Sequence, residues 1–230
     1  PGISSAASDV YKRQHKEIPG NPSTAKSSVH RLRSSASNNT LRVLTIDQWN
    51  FWINNGYVVV KNAIPREQAL TTANFIWEFD DKSPNDPSTW YAEARAEMEM
   101  KELAGTGMVE VYNNQYLWDN RQTQKVYDCF VDIWGTEKLW TTIDRANLNF
   151  PNRPGYNYEG FIHWDYDPET RPQNVQGVLA LSDQTDKDMG GFQCIPWLFK
   201  NYDTWKLSQP EDRNRFQPNI KGLEDKICLL

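Results

Sequence analysis

Histidine and cysteine are scarce in this chain of 230 residues, and it contains no long apolar run. It has three histidines and three cysteines, Cys129, Cys194 and Cys228, which lie far apart and match no CxxC pattern. This usage favours a reduced, intracellular setting. No apolar segment approaches the ~20 residues that a membrane-spanning helix needs, and the N-terminus has no apolar stretch typical of a secretory signal. We therefore predict a cytoplasmic, non-secreted protein with no membrane partner.

The charge is unevenly distributed along the chain. The formal net charge is −5. Residues 1–43 carry seven Lys or Arg and two Asp or Glu, a net +5, which leaves −10 for residues 44–230. An acidic body of this kind argues against a nucleic-acid groove as the main function.

The first 43 residues differ in composition from the rest. They are rich in Ser and contain a single aromatic residue, Tyr11, so they cannot bury enough apolar surface to offset the entropy of ordering. We predict a disordered leader over residues 1–43 and one domain over residues 44–230. Residues 4–14 resemble translated cloning adaptor, which makes them a candidate non-native segment; a basic, Ser-rich transit peptide is the alternative.

Helix signals come first along the domain, and short apolar runs follow. Thr45 is a predicted N-cap for a helix ending near Asn54, and Pro65 opens a second helix. The clearest helical pattern covers residues 122–134 and ends at Gly135. Short strands are predicted at residues 57–60, 161–166, 174–181 and 192–195. Helices followed by short strands predict a β-sandwich or jelly roll with helices packed on one side.

The tripeptide His163-Trp164-Asp165 carries the most informative chemistry. Side chains at positions i and i+2 of a strand share one face, so the imidazole and the carboxylate are expected to point the same way. Such a pair supplies two ligands of the 2-His-1-carboxylate triad of non-haem iron(II), in which three ligands on one face leave other positions open. Taken alone, this spacing is a weak signal.

Longer motifs resemble the phytanoyl-CoA dioxygenase family of iron(II), 2-oxoglutarate-dependent oxygenases. The resemblance covers about residues 44–225. The matching stretches are residues 107–112 (GMVEVY), 117–122 (LWDNRQ), 132–140 (DIWGTEKLW), 143–145 (IDR), 161–165 (FIHWD), 174–181 (NVQGVLAL) and 190–196 (GGFQCIP). The resemblance implies an α+β fold, a double-stranded β-helix with N-terminal helices packed on it. It also implies that His163 and Asp165 bind iron(II), and that 2-oxoglutarate and O2 are co-substrates in hydroxylating a small organic substrate.

The chain departs from the family pattern in two places. Residues 196–199 read Pro-Trp-Leu-Phe where members commonly have Pro-Gly-Ser-His, a change expected to alter packing or the pocket rim. Members also carry a second histidine ligand on a later strand and then an Arg that grips 2-oxoglutarate. His15 and His30 lie in the leader and are poor candidates for that ligand. We therefore expect the double-stranded β-helix to be incomplete at the C-terminus and the fragment to show weak or no turnover.

Three polar residues are further candidates near the cofactor. Asn147 and Asn149 alternate before the motif and so face one side; either one of them hydrogen-bonds the keto acid or they occupy satisfied polar positions beside a loop. Gln176 is a candidate lining residue of the same cavity, although core or edge packing is the alternative for it. Two other classes of function stay open. They are a non-catalytic jelly-roll binding module and a cupin-type metalloenzyme that does not use 2-oxoglutarate.

Overall fold

The structure is a computed structural model. The structure describes residues 40–92, 97–100, 106–155, 160–169, 175–186 and 189–229. Most of the leader, including His15 and His30, lies outside the described residues, as does Asn174 at the start of a predicted strand.

Within these ranges the chain forms five α-helices and two small antiparallel sheets. The helices are α1 (Ile46–Asn55), α2 (Arg66–Phe79), α3 (Gln115–Arg121), α4 (Gln124–Trp134) and α5 (Pro196–Leu207). The strands are β1 (Met108–Val109), β2 (Ala146–Asn147), β3 (Gln193–Cys194) and β4 (Cys228–Leu229). Strand β1 pairs with β2, and β3 pairs with β4. Helices and strands are thus both present in the described ranges, while the double-stranded β-helix stays a prediction.

Helix α1 begins and ends close to the residues that the sequence predicts. The Thr45 hydroxyl accepts a hydrogen bond from the Gln48 backbone N–H at 3.1 Å, and the Gln48 side chain accepts one from the Thr45 N–H at 3.0 Å. This reciprocal capping box satisfies two backbone donors that the first turn leaves without partners. Gly56 ends the helix in the left-handed conformation, with φ 77°, which glycine adopts at little cost.

The chain ahead of α1 is held by a buried carboxylate of α4. Asp132 accepts hydrogen bonds from the backbone N–H groups of Arg42, Val43 and Leu44 at 2.8, 2.9 and 2.9 Å. The Arg42 guanidinium also forms an ion pair with Asp128 at 3.0 Å. These contacts place the start of α1 against α4, and they begin slightly before residue 44, where the sequence predicts the start of the domain.

Three apolar clusters form the core of the described residues. The first contains Ile76, Val109, Val111, Leu117 and Ala146; the second contains Leu44, Trp49 and Ile133; the third contains Ile195, Leu198 and Trp205. The third, here called the C-terminal cluster, also packs against the half-buried side chains of Ile162 and Trp164. It is therefore the part of the core that lies behind the predicted iron ligands.

Three segments that the sequence predicts as strands are not strands in the structure. Residues 57–60 leave α1 and pack Val58 and Val60 against the second cluster. Residues 161–166 and the described part of 174–181 are likewise outside the assigned strands. The side chains that these segments turn inward are half-buried by packing on the core clusters and not by pairing in a sheet, which the sequence pattern alone cannot distinguish.

Two helices were not predicted from the sequence. Helix α3 is capped by Asn114, whose side chain accepts a hydrogen bond from the Tyr116 N–H at 2.9 Å. Helix α5 begins with Pro196 in its first turn, a position where proline's missing N–H costs nothing. The departure from the family pattern at residues 196–199 therefore starts a helix, and its Leu198 is buried in the C-terminal cluster.

None of the helices in the described ranges is long and apolar enough to span a membrane.

Candidate metal centre

The segment carrying the candidate ligands has one inner and one outer face. Ile162 and Trp164 point inward, where they pack against the C-terminal cluster. The Trp164 ring meets Tyr202 and Trp205 edge to face, with centroids 5.7 and 6.0 Å away. The Trp164 backbone N–H donates to the Phe216 carbonyl at 2.7 Å. Packing of the even-numbered residues thus fixes the direction of the odd-numbered ones.

His163 and Asp165 lie together on the outer face. Their Nε2 and Oδ1 atoms are 3.2 Å apart, and the two side chains are 42% and 41% exposed. The prediction that both point the same way is confirmed by this geometry. The pair is also neither splayed to opposite sides nor sealed in the core, so both groups can reach a ligand from solution.

The imidazole of His163 is oriented by its neighbour Phe161. The Nδ1 atom lies 3.2 Å from the Phe161 carbonyl oxygen, and the Phe161 ring stacks on the imidazole with centroids 4.3 Å apart. When Nδ1 carries the proton and donates it to this carbonyl, the lone pair of Nε2 points toward Asp165. A ring nitrogen held in this way is the usual state of a metal-ligating histidine.

The carboxylate of Asp165 is held from a second segment. The Gln176 side-chain amide donates a hydrogen bond to Asp165 Oδ2, which leaves Oδ1 facing His163. Gln176 is positioned by the residues on either side of it. Val175 packs in the second cluster, and a Cβ added at Gly177 would lie 3.1 Å from Cζ of Phe130 on α4. The structure therefore brings Gln176 to the predicted ligands, through Asp165.

The spacing of the two donor atoms fits a single metal ion. Nitrogen and oxygen ligands lie about 2.1 Å from a first-row ion such as zinc, so two ligands at right angles are about 3 Å apart. The observed 3.2 Å agrees with adjacent positions around one ion. In the part of the chain that the structure describes, no third His, Cys, Asp or Glu joins them in a metal-binding group. A metal site of the predicted kind would need at least one further ligand besides this pair.

Asn147 and Asn149 occupy a different arrangement. Both are exposed while Ala146 and Leu148, before and between them, are buried or half-buried, so their shared side is confirmed. Asn147 pairs with Met108 across the β1–β2 sheet, and the Asn149 side chain lies against Gly107. Among the described residues neither hydrogen-bonds His163 or Asp165. Their predicted contact with the keto acid stays a prediction.

A charged cluster that the sequence did not reveal fixes the turn after Asp165. Glu169 accepts hydrogen bonds from Arg213, at 2.9 Å, and from Arg215, and Arg213 also donates to the Tyr202 hydroxyl at 2.8 Å. Desolvation opposes the charge of Glu169, but Arg215 and Arg213 outweigh it and lower the pKa of the carboxyl group. The cluster ties the ligand segment to α5 and to the chain that follows it. Glu169 and Arg213 are 44 residues apart in the sequence, a distance over which no local pattern carries a signal.

Comparisons with known proteins give one informative similarity. No family model matches the chain, and no solved structure matches it. The chain is similar to "Ava biosynthesis cluster protein O" of Aspergillus versicolor, with 26% identity over 144 residues that cover 59% of this chain and 45% of that protein. The chain thus spans less than half the length of this curated relative, and at this identity the similarity assigns no family.

Proposed function

We propose that this chain is part of a non-haem iron(II), 2-oxoglutarate-dependent oxygenase that hydroxylates a small organic substrate. The observation that carries the proposal is the position of His163 Nε2 and Asp165 Oδ1, 3.2 Å apart on one exposed face. An imidazole and a carboxylate in adjacent positions are the ligand types of the facial triad. The motifs that resemble the phytanoyl-CoA dioxygenase family support the choice of this class.

In this proposal each residue of the site has one role. His163 and Asp165 hold the ion, and Gln176 fixes the carboxylate so that Oδ1 faces it. Phe161 stacks on the imidazole and, through its carbonyl, holds the Nδ1 proton. Bound iron(II) supplies the coupling of O2 reduction and 2-oxoglutarate decarboxylation, which yields succinate and carbon dioxide, to hydroxylation of a C–H bond.

The proposed chemistry also needs a third metal ligand and a group that anchors 2-oxoglutarate. The family resemblance implies a later histidine and an Arg, which would grip the keto acid's carboxylate in a bidentate fork. The relative's name places that protein in a biosynthesis cluster. By extension, we propose an intermediate of a biosynthetic route as the substrate class.

Metal binding tests the ligand assignment without relying on turnover. Cobalt(II), a spectroscopic substitute for iron(II), is titrated into the complete gene product and followed by visible absorption. We expect His163→Ala and Asp165→Ala each to weaken binding by more than ~100-fold, beyond the 10–100-fold that loss of an outer-shell partner causes. Asp203→Ala is the matched control, because the Asp203 side chain is 91% exposed on α5. Equal affinity of His163→Ala and the unaltered protein would remove the assignment.

Turnover tests the reaction class. The complete gene product is incubated with iron(II), ascorbate, 2-oxoglutarate and a panel of small organic substrates, and succinate release is measured. Release that depends on both a substrate and His163 supports the oxygenase. Metal binding without succinate release across the panel favours the cupin-type enzyme.

The binding-module alternative has its own structural support. A separation of 3.2 Å between Nε2 and Oδ1 is also that of a simple hydrogen bond or ion pair. In that case the two residues stabilise each other and need no ion. Absence of any cobalt(II) absorption band in the complete protein would favour this alternative.

A further inference from the structure

Two of the three cysteines face each other across the β3–β4 pair. Cys194 and Cys228 are directly opposite in the antiparallel register, although they are 34 positions apart in the sequence. After burial, the nearby Cys228 thiol is a further cause that raises the pKa of the Cys194 thiol. Both are free thiols and half-buried.

This register meets the main geometric demand of a disulfide. Opposite residues of an antiparallel pair have Cα atoms about 4.5 or 5.5 Å apart, depending on whether the pair is hydrogen-bonded. Disulfides occur at Cα separations of about 4.4 to 6.8 Å. Either register therefore permits the bond without moving the backbone out of range.

We propose that Cys194 and Cys228 are a site of reversible oxidation that forms an intramolecular disulfide. The oxidant class is a low-molecular-weight disulfide, such as glutathione disulfide. A thiolate at Cys228 attacks one sulfur of it and releases one glutathione thiolate, which takes up a proton. Cys194 loses its proton and displaces the second glutathione from Cys228. Two protein thiols are oxidised and one disulfide is reduced to two thiols.

Cys228 is assigned as the attacking group because of its neighbour Tyr57. The Tyr57 hydroxyl lies 3.4 Å from Cys228 Sγ and can donate a hydrogen bond to the thiolate that forms there. Burial raises the pKa of the Cys194 thiol to about 12, so Cys194 is poorly ionised near neutral pH and suits the second step. Burial also raises the pKa of Cys129 to about 11, and Cys129 lies on α4, away from the β3–β4 pair.

The bond would reinforce the core behind the candidate metal centre. Ile195 follows Cys194 and Ile227 precedes Cys228, and both belong to the C-terminal cluster with Ile162 and Trp164. A covalent link between β3 and β4 fixes these isoleucines against the segment that presents His163 and Asp165. The proposal itself concerns the two thiols and does not depend on iron binding.

The experiment equilibrates the protein with reduced and oxidised glutathione at about pH 8.5, the ordinary cysteine pKa, and traps free thiols by alkylation. Peptide mass spectrometry then locates every cysteine. We expect loss of two alkylatable thiols, a linked peptide containing Cys194 and Cys228, and a free Cys129. Cys129→Ser is the matched control and should give the same linked peptide.

Two variants test the order of the steps. In Cys194→Ser the reaction should stop with glutathione attached to Cys228, and Tyr57→Phe should slow this attachment while leaving the ring in place. The proposal is overturned if Cys194 and Cys228 both stay reduced, if each carries glutathione without linking, or if Cys129 pairs with either of them. Preferential modification of Cys194 in the Cys228→Ser variant, faster than Cys228 in Cys194→Ser, would reverse the assigned attacking group.

Discussion

Gln176→Leu removes the amide that holds Asp165 and leaves an apolar side chain in its place. The hydrogen bond from Gln176 to Asp165 Oδ2 is lost, and the carboxylate becomes free to rotate about its Cβ–Cγ bond. Both segments keep their packing, because Val175 and Trp164 are held by the second and C-terminal clusters. The change therefore acts on the orientation of one ligand.

The expected loss of metal affinity follows from what hydrogen-bond partners of metal ligands contribute to metal sites. Their loss costs about 10–100-fold in affinity, which corresponds to about 1.4–2.7 kcal/mol. Gln176 is exposed, so the free energy of unfolding of the metal-free protein should change by no more than about 0.5 kcal/mol. A large loss of affinity with little loss of stability separates an orienting role from a structural one.

The assay is the cobalt(II) titration of the complete gene product, with urea unfolding of the metal-free protein as the parallel measurement. Gln122→Leu is the control, since Gln122 is also exposed and lies at the end of α3. Unchanged cobalt(II) affinity in Gln176→Leu, alongside loss of binding in His163→Ala, would refute the orienting role. A return of affinity in Gln176→Asn is not expected, because the shorter amide does not reach Oδ2.

Three further predictions concern stability. Asp132→Ala leaves three backbone N–H groups without their acceptor and should cost about 3 kcal/mol or more, measured by urea unfolding; a loss below about 1 kcal/mol would contradict the anchoring role. Gly56→Ala places a Cβ 2.6 Å from Cγ of Phe199 at φ 77° and should lower the thermal midpoint, whereas Asn54→Ala, at an exposed position of the same helix end, should have little effect. The pKa of Glu169 is lowered in the folded state. The ionised carboxylate therefore contributes its full stabilisation above the ordinary pKa of 4.5. This stabilisation is lost as the pH falls from 4.5 through the lowered pKa of the folded state. Glu169→Gln should therefore flatten the acid side of the stability profile, and an unchanged profile would count against the Arg213–Arg215 cluster.

Features set by a few neighbouring residues could be predicted from the sequence. The capping box at Thr45 needs only Gln48, three residues on, and the left-handed ends at Gly56 and Gly135 follow from glycine itself. The shared face of His163 and Asp165 follows from the alternation of an extended chain. Each of these features depends only on the backbone geometry of a few consecutive residues.

Features that join distant segments could not be predicted in this way. The contact between Gln176 and Asp165 depends on how residues 175–177 pack on α4, and the facing of Cys194 and Cys228 depends on the register of β3 with β4. The strand predictions at 57–60 and 161–166 were wrong for the same reason. An alternating pattern reports which side chains are buried, whereas the neighbouring segment decides whether a sheet or a helix buries them.

Asp132 binds residues 42–44 only through hydrogen bonds from their backbone N–H groups. Amide protons are the same for every residue type except proline, which has none. These three hydrogen bonds therefore do not depend on which side chains stand at the three positions, provided that proline is avoided. One aspartate on α4 thus holds the backbone of the junction, while the Arg42 ion pair and the buried Leu44 side chain add contacts that do depend on residue type.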